Sequence, residues 1–198
     1  APSTPGAGRF AVQVVDASGA ADDATCTVQV EAAEPEPPPA SATIERVMSE
    51  DGKYVEWEVP LVDGKPHGIR RDYLKGVLDM ETTYVHGVRH GLMKSYTLGR
   101  LSGVKRFDRD RVQEEISYLN GELSSRSLYG EDGSEEHFSY DHNDGGRLTA
   151  HSVGGSTQRW TVRTFDKKGR VIRHRVLQGS RFREDAVIES RDFTYDDR

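Results

Sequence analysis

The chain has 198 residues, of which 34% are hydrophobic and 30% charged, with a mean hydropathy of −0.71. So low an apolar fraction argues against a thick two-layer core and for a thin, largely solvated architecture. No run approaches the ~18 apolar residues of a membrane-spanning helix, and a lone Cys26 excludes an intrachain disulfide or a multi-cysteine metal site. The net charge of −6 conceals blocks of alternating sign. Residues 1–60 carry 3 basic and 11 acidic side chains, 61–106 carry 9 and 4, 107–144 carry 3 and 11, and 145–198 carry 12 and 7. Bulk charge therefore argues against a nucleic-acid partner and is compatible with a protein of complementary pattern.

Three segments follow in chain order. Within residues 1–30, Phe10, Val12 and Val14 alternate with Ala11, Gln13 and Val15, and Cys26, Val28 and Val30 alternate with Thr25, Thr27 and Gln29. Period two on both sides of an Asp-Ala-Ser-Gly turn predicts a short separate β-hairpin. Residues 31–41 are rich in Pro and Glu and predict a semi-rigid spacer. Residues 42–198 repeat: Gly64 to Gly87, Gly68 to Gly91, Tyr73 to Tyr96 and Gly76 to Gly99 are each separated by 23 residues, and Tyr118, Gly121 and Leu123 continue the series. Tyr140 with Gly146, and Phe165 with Gly169, extend it.

A near-fixed period this short predicts an array of one stacked unit. Ile69, Arg71 and Tyr73 alternate with Arg70, Asp72 and Leu74. After the Gly76 turn, Leu78, Met80, Thr82 and Tyr84 alternate with Asp79, Glu81, Thr83 and Val85. No apolar residues recur at helical spacing. The expected fold is therefore all-β, an elongated antiparallel meander of stacked hairpins preceded by the separate short hairpin. Structural turns are expected at Gly64, Gly68, Gly76, Gly87, Gly91, Gly99, Gly121, Gly146 and Gly169, where glycine supplies positive φ. Tyr73, Tyr96, Tyr118 and Tyr140 should form a spaced ladder along one face.

The phrase Asp63-Gly-Lys-Pro-His-Gly68 … Asp72-Tyr-Leu-Lys-Gly76, echoed as His86-Gly-Val-Arg-His-Gly91 … Ser95-Tyr-Thr-Leu-Gly99, resembles the MORN-repeat variant of bacterial YwqK-type antitoxins. Residues 107–127 match only in their second half, because the paired glycines are replaced in Arg109-Asp110-Arg111. Tyr140-Asp141, Phe165-Asp166 … Gly169-Arg170 and Tyr195-Asp196 resemble YD/RHS-type β-repeats. The N-terminal hairpin resembles the last strands of an Ig- or PKD-like domain, which implies an upstream domain in the same chain. The repeat resemblances imply twisted β-hairpins and no active site.

Constellations for chemistry are weak. His86 and His90 stand four apart but flank a glycine turn, so no metal site is expected there. Asp141-His142-Asn143-Asp144-Gly145 has oxygen ligands, yet Ser152 stands where a calcium loop needs glutamate. Glu114-Glu115 and Glu135-Glu136 are neighbours that a strand points to opposite faces. No catalytic residue and no cofactor is expected. The remaining candidate is a partner-binding face built from Arg71, Tyr73, Lys94 and Tyr96, with His67 and His90 at equivalent places near hairpin tips. The expected function is a non-enzymatic protein-binding module, antitoxin-like by resemblance. The alternative is an extracytoplasmic surface module for a protein, glycan or lipid ligand. The Ig-like stretch and proline spacer favour an extracytoplasmic location over a cytoplasmic one.

Overall fold

A computed structural model describes residues 39–195 except 142, 144–145, 156–158 and 180–186, together with the two short strands 14–15 and 21–22. The chain divides into two compact units, 1–34 and 35–198. In the first, β1 (Val14–Val15) pairs antiparallel with β2 (Ala21–Asp22), Val14 lying opposite Asp22. The other residues expected in that hairpin, including Phe10 and Cys26, fall outside the described residues, as do 31–38 of the spacer.

The second unit is a single antiparallel sheet. Its strands are β3 (Thr43–Met48), β4 (Val55–Val62), the short β5 (Lys65–Pro66), β6 (Gly68–Leu74), β7 (Val77–Val85), β8 (Val88–Thr97) and β9 (Arg100–Asp108). They continue as β10 (Arg111–Leu119), β11 (Glu122–Tyr129), β12 (Ser134–Asp141), β13 (Arg147–Gly155), β14 (Arg159–Phe165), β15 (Val171–Gln178) and β16 (Val187–Asp192). Strand order is sequence order from β16 down to β6, then β4 and β3, with β5 pairing only β4. The meander is open, and no helix occurs among the described residues. Every substantial contact between strands is between sheet neighbours.

Two-residue turns set the pairing. Asp63-Gly64, Lys75-Gly76, His86-Gly87, Leu98-Gly99, Arg109-Asp110 and Asn120-Gly121 all have positive φ at both positions. This geometry matches the right-handed twist of the flanking strands. Gly68 and Gly91 also have positive φ, but they lie within β6 and β8 rather than at turns. Gly91 sits at an irregularity in the β7–β8 pairing, where a Cβ would meet the Thr83 methyl at 3.4 Å. Leu98 is a strained position: at φ 51 and 96% exposed, it holds a left-handed conformation with no packing in return. Leu98→Asn, the residue found one unit later at Asn120, should raise stability by about 1 kcal/mol. The check is a higher midpoint in urea unfolding.

A bulge recurs in each unit. Pairing shifts between Asp72 and Tyr73, Ser95 and Tyr96, Ser117 and Tyr118, Ser139 and Tyr140, and Thr164 and Phe165. After each shift an aromatic ring lies opposite an aliphatic one: Tyr73–Leu78, Tyr96–Leu101, Tyr118–Leu123, Tyr140–Leu148 and Phe165–Val171. The bulge corrects the simple alternation expected for β7. Leu78 shares the face of Tyr73 and Glu81, while Met80 lies opposite Asp72 on the other face.

With one layer, burial is sparse. Of the six buried apolar side chains among the described residues, Val59, Phe107, Trp160, Val162 and Leu177 lie on the face away from Tyr73; the sixth is Val176. Trp160, Val162 and Leu177 form the core cluster, with Val187 against it. Trp160 lies across Gly154, where a Cβ would come within 2.6 Å of its Cε3. Elsewhere arginine replaces a second layer. The Arg70 guanidinium lies 4.7 Å from the centre of Trp57 and that of Arg89 4.5 Å from Phe107, so polar heads reach water while their stems cover rings.

Candidate functional site: a transverse ladder on one sheet face

Directly paired residues on neighbouring strands share a face, so the registers define rows that cross the sheet at about 4.8 Å per strand. One row runs Arg46, Glu58, Arg71, Glu81, Lys94, Val104, Ile116, Arg126, Phe138, His151, Arg163, His174 and Arg191. Tyr73, Tyr96, Tyr118 and Tyr140 stand beside it on the same face, as a ladder of residues two strands apart. This ladder face contains Arg71, Tyr73, Lys94 and Tyr96, the expected binding residues.

Over the first four strands the row alternates in charge and closes on itself. Arg46 Nη2 lies 2.8 Å from Glu58 Oε2, and Tyr73 Oη donates to Glu58 Oε1 at 3.0 Å. Arg71 Nε donates to Glu81 Oε1 at 3.2 Å, with its Nη1 3.9 Å from Glu58. Tyr96 Oη donates to Glu81 Oε2 at 2.9 Å. Each carboxylate thus receives a guanidinium from the row and a phenol from the next tyrosine. Arg46 holds the Glu58 carboxyl below its ordinary range, with smaller help from Tyr73 and Arg71 against the effect of burial. Burial, then the Glu81 carboxylate, pushes the Tyr96 phenol from 10.0 up to about 12.

Both shifts predict pH-dependent stability. The folded value for Glu58 is depressed, so its contribution is present above the unfolded value and lost as pH falls through the folded one. The folded value for Tyr96 is raised, so its contribution is present below about 10 and lost as pH rises through about 12. Burial also raises the phenols of Tyr73, Tyr118, Tyr129 and Tyr140, so ultraviolet titration should show a late-ionising group of tyrosines whose component near 12 is removed by Tyr96→Phe.

The other expected residues are dispersed. His67 is edge-on to His86 at 4.7 Å between ring centres, and the His86 amide lies 3.5 Å from His67 Nδ1. His90 Nδ1 lies 3.2 Å from Asp108 on the ladder face. His67 and His90 therefore have different partners. Asp141 accepts from the Asn143 amide and lies 3.4 Å from Arg147, so it serves a turn. His142, Asp144 and Gly145 fall outside the described residues. Among the described residues no three His, Cys, Asp or Glu side chains gather to hold a metal, and no helix is long and apolar enough to cross a membrane. Of the six expected binding residues, only Lys94 has no hydrogen bond, ion pair or ring contact among the described residues.

Two features were not foreseen. Glu114, 5% exposed, receives Arg106 Nη2 at 2.6 Å and Arg126 Nε at 2.7 Å on the ladder face. Its neighbour Glu115 faces the other way and pairs with Lys105 at 3.1 Å. From β11 onward the row itself holds no acid. Phe138 stacks on His151 at 4.5 Å and 8°, and burial, aided by Arg163 and opposed by Glu136, lowers the His151 pKa. A depression on the opposite face, lined by Met93, Ser95, Gly103, Lys105, Glu115 and Ser117 among others, holds about 90 Å³. Small-molecule sites typically run to ~300–1,000 Å³.

Comparison with known proteins adds little. No family model matches the chain, and no curated protein matches it. Among solved structures it is similar to a chain of the GtfA/B complex bound to UDP and GlcNAc, at 13% identity and a TM-score of 0.29. That match covers 72% of this chain and 25% of the other, so the chain spans about a quarter of that neighbour. A likeness at this level carries no functional argument.

Proposed function

We propose that this chain is a non-enzymatic repeat module that binds another protein across its sheet, in the manner of an antitoxin that neutralises a toxin by covering it. The observation that carries the reading is the open single sheet, whose face presents basic and aromatic groups at a repeating interval. Preformed by its turns and cross-strand pairs, such a face can cover a partner surface without reorganising. The resemblance of residues 63–101 to the MORN-repeat variant supports the neutralising version.

The test is co-expression with the products of adjacent genes. A neighbour that arrests growth alone, is silenced by this chain and forms a complex of fixed stoichiometry is the expected result. Lys94→Gln removes a cation not committed elsewhere and should weaken that complex about tenfold, near 1.4 kcal/mol, as read by calorimetry. Absence of any silenced neighbour, or turnover of a small substrate by the purified chain, would overturn the reading.

A further inference from the structure

The ladder row changes character at β11. Over β3, β4, β6 and β7 acids and bases alternate and pair with one another, and Lys94, Val104 and Ile116 follow. From β11 to β16 the row reads Arg126, Phe138, His151, Arg163, His174 and Arg191, six consecutive strands without a carboxylate. Five steps of about 4.8 Å give it a length of roughly 24 Å. Arg126 is committed to Glu114 and Arg191 to Glu189 at 3.5 Å. Arg163 is exposed, lies directly between His151 and His174, and its side chain has no hydrogen bond or ion pair among the described residues. Its two row neighbours are the imidazoles of His151 and His174, neither of which brings a negative charge. On one flank the stacked Phe138 and His151 rings form a flat wall.

We infer that this cationic row is a docking surface for an acidic segment of a protein partner, with Arg163 at its centre taking a carboxylate and the Phe138–His151 stack supporting the segment beside it. The inference rests on the protein-binding reading and names the chemistry of the partner. Charge complementarity favours a short acidic peptide over a long polyanion. The chain as a whole carries −6, and Glu136 and Glu189 border the row on the same face. A long nucleic acid or sulfated glycan would run into that field, whereas a few carboxylates confined to the row would not.

The experiment is fluorescence anisotropy of the full chain with a labelled peptide of about ten residues alternating Glu and Ser, beside a labelled heparin oligosaccharide, at low and physiological salt. The expected result is saturable peptide binding that weakens with salt and is lost at least tenfold in Arg163→Glu. Lys75→Glu, an equal charge change at an exposed turn, should bind as the parent does. Urea unfolding of both variants verifies that the sheet persists. No peptide binding at low salt, unchanged affinity in Arg163→Glu, equal loss in Lys75→Glu, or tighter binding of heparin than of peptide would each overturn the inference. A silenced toxin with no peptide binding would refute this surface and leave the module reading intact. Peptide binding with no silenced neighbour would do the reverse.

Discussion

Leu177→Ala is expected to cost about 3–4 kcal/mol, the largest effect of any single truncation in this sheet. Leu177 is 1% exposed and packs with Trp160, Val162 and Val187. A single layer has no second sheet to collapse into the vacated volume, so the cavity persists and the full transfer term is lost with it. The two tryptophans make the effect local to measure. Trp57 lies in β4 under Arg70, and Trp160 in β14 within the cluster. Because substantial contacts join only neighbouring strands, stability is expected to be distributed along the array as nearest-neighbour increments. In Trp57→Phe, fluorescence should report a large drop in the urea midpoint on adding Leu177→Ala. In Trp160→Phe, the Trp57 signal should move far less. Equal shifts from both probes would mean that the sheet unfolds as one unit.

Glu114→Ala should cost about 2–3 kcal/mol, below the ~3–5 kcal/mol of a fully buried ion pair, because both arginines keep some access to water. Arg106 and Arg126 close on this carboxylate from the strands on either side, and Arg106 Nε is already buried without a partner. Removing the acid leaves two cations facing one another across β10. The discriminating variant replaces the group together: Arg106→Met, Glu114→Leu and Arg126→Met should recover most of the loss, since no buried charge is then left uncompensated. Thermal unfolding checks both. If the triple variant is less stable than Glu114→Ala, the loss lies in packing and not in uncompensated charge.

Much of the fold was legible because the unit repeats. The 23-residue spacing locates turns at Gly64, Gly76, Gly87 and Gly99, and the sharing of one face by Arg71 and Tyr73 follows from period two. Adjacent acids such as Glu114 and Glu115 separate to opposite faces for the same reason. The candidate site was less legible, because a face is read across strands and each bulge adds a residue to one strand of a pair. One such residue moved Leu78 to the face of Tyr73, away from Met80. Placing Arg126, Phe138, His151, Arg163 and His174 in one row requires every intervening shift to be known. Nor does spacing disclose that Arg71 is held between Glu58 and Glu81, since these lie 13 and 10 residues away on different strands.

The strand order has a consequence for self-association. Twelve antiparallel steps separate β3 from β16, so the two outer strands run the same way. Stacking copies head to tail would then require parallel pairing, the less stable kind. Pairing β3 with its twin about a two-fold axis keeps each side chain on its own face, and so must centre on one residue. Centred on Arg46 it sets guanidinium against guanidinium, and centred on Glu45 it sets carboxylate against carboxylate. Those two registers are therefore penalised, and charge neutralisation at Glu45 and Arg46 would remove the penalty, whereas centring on Ile44 or Val47 sets apolar side chains together.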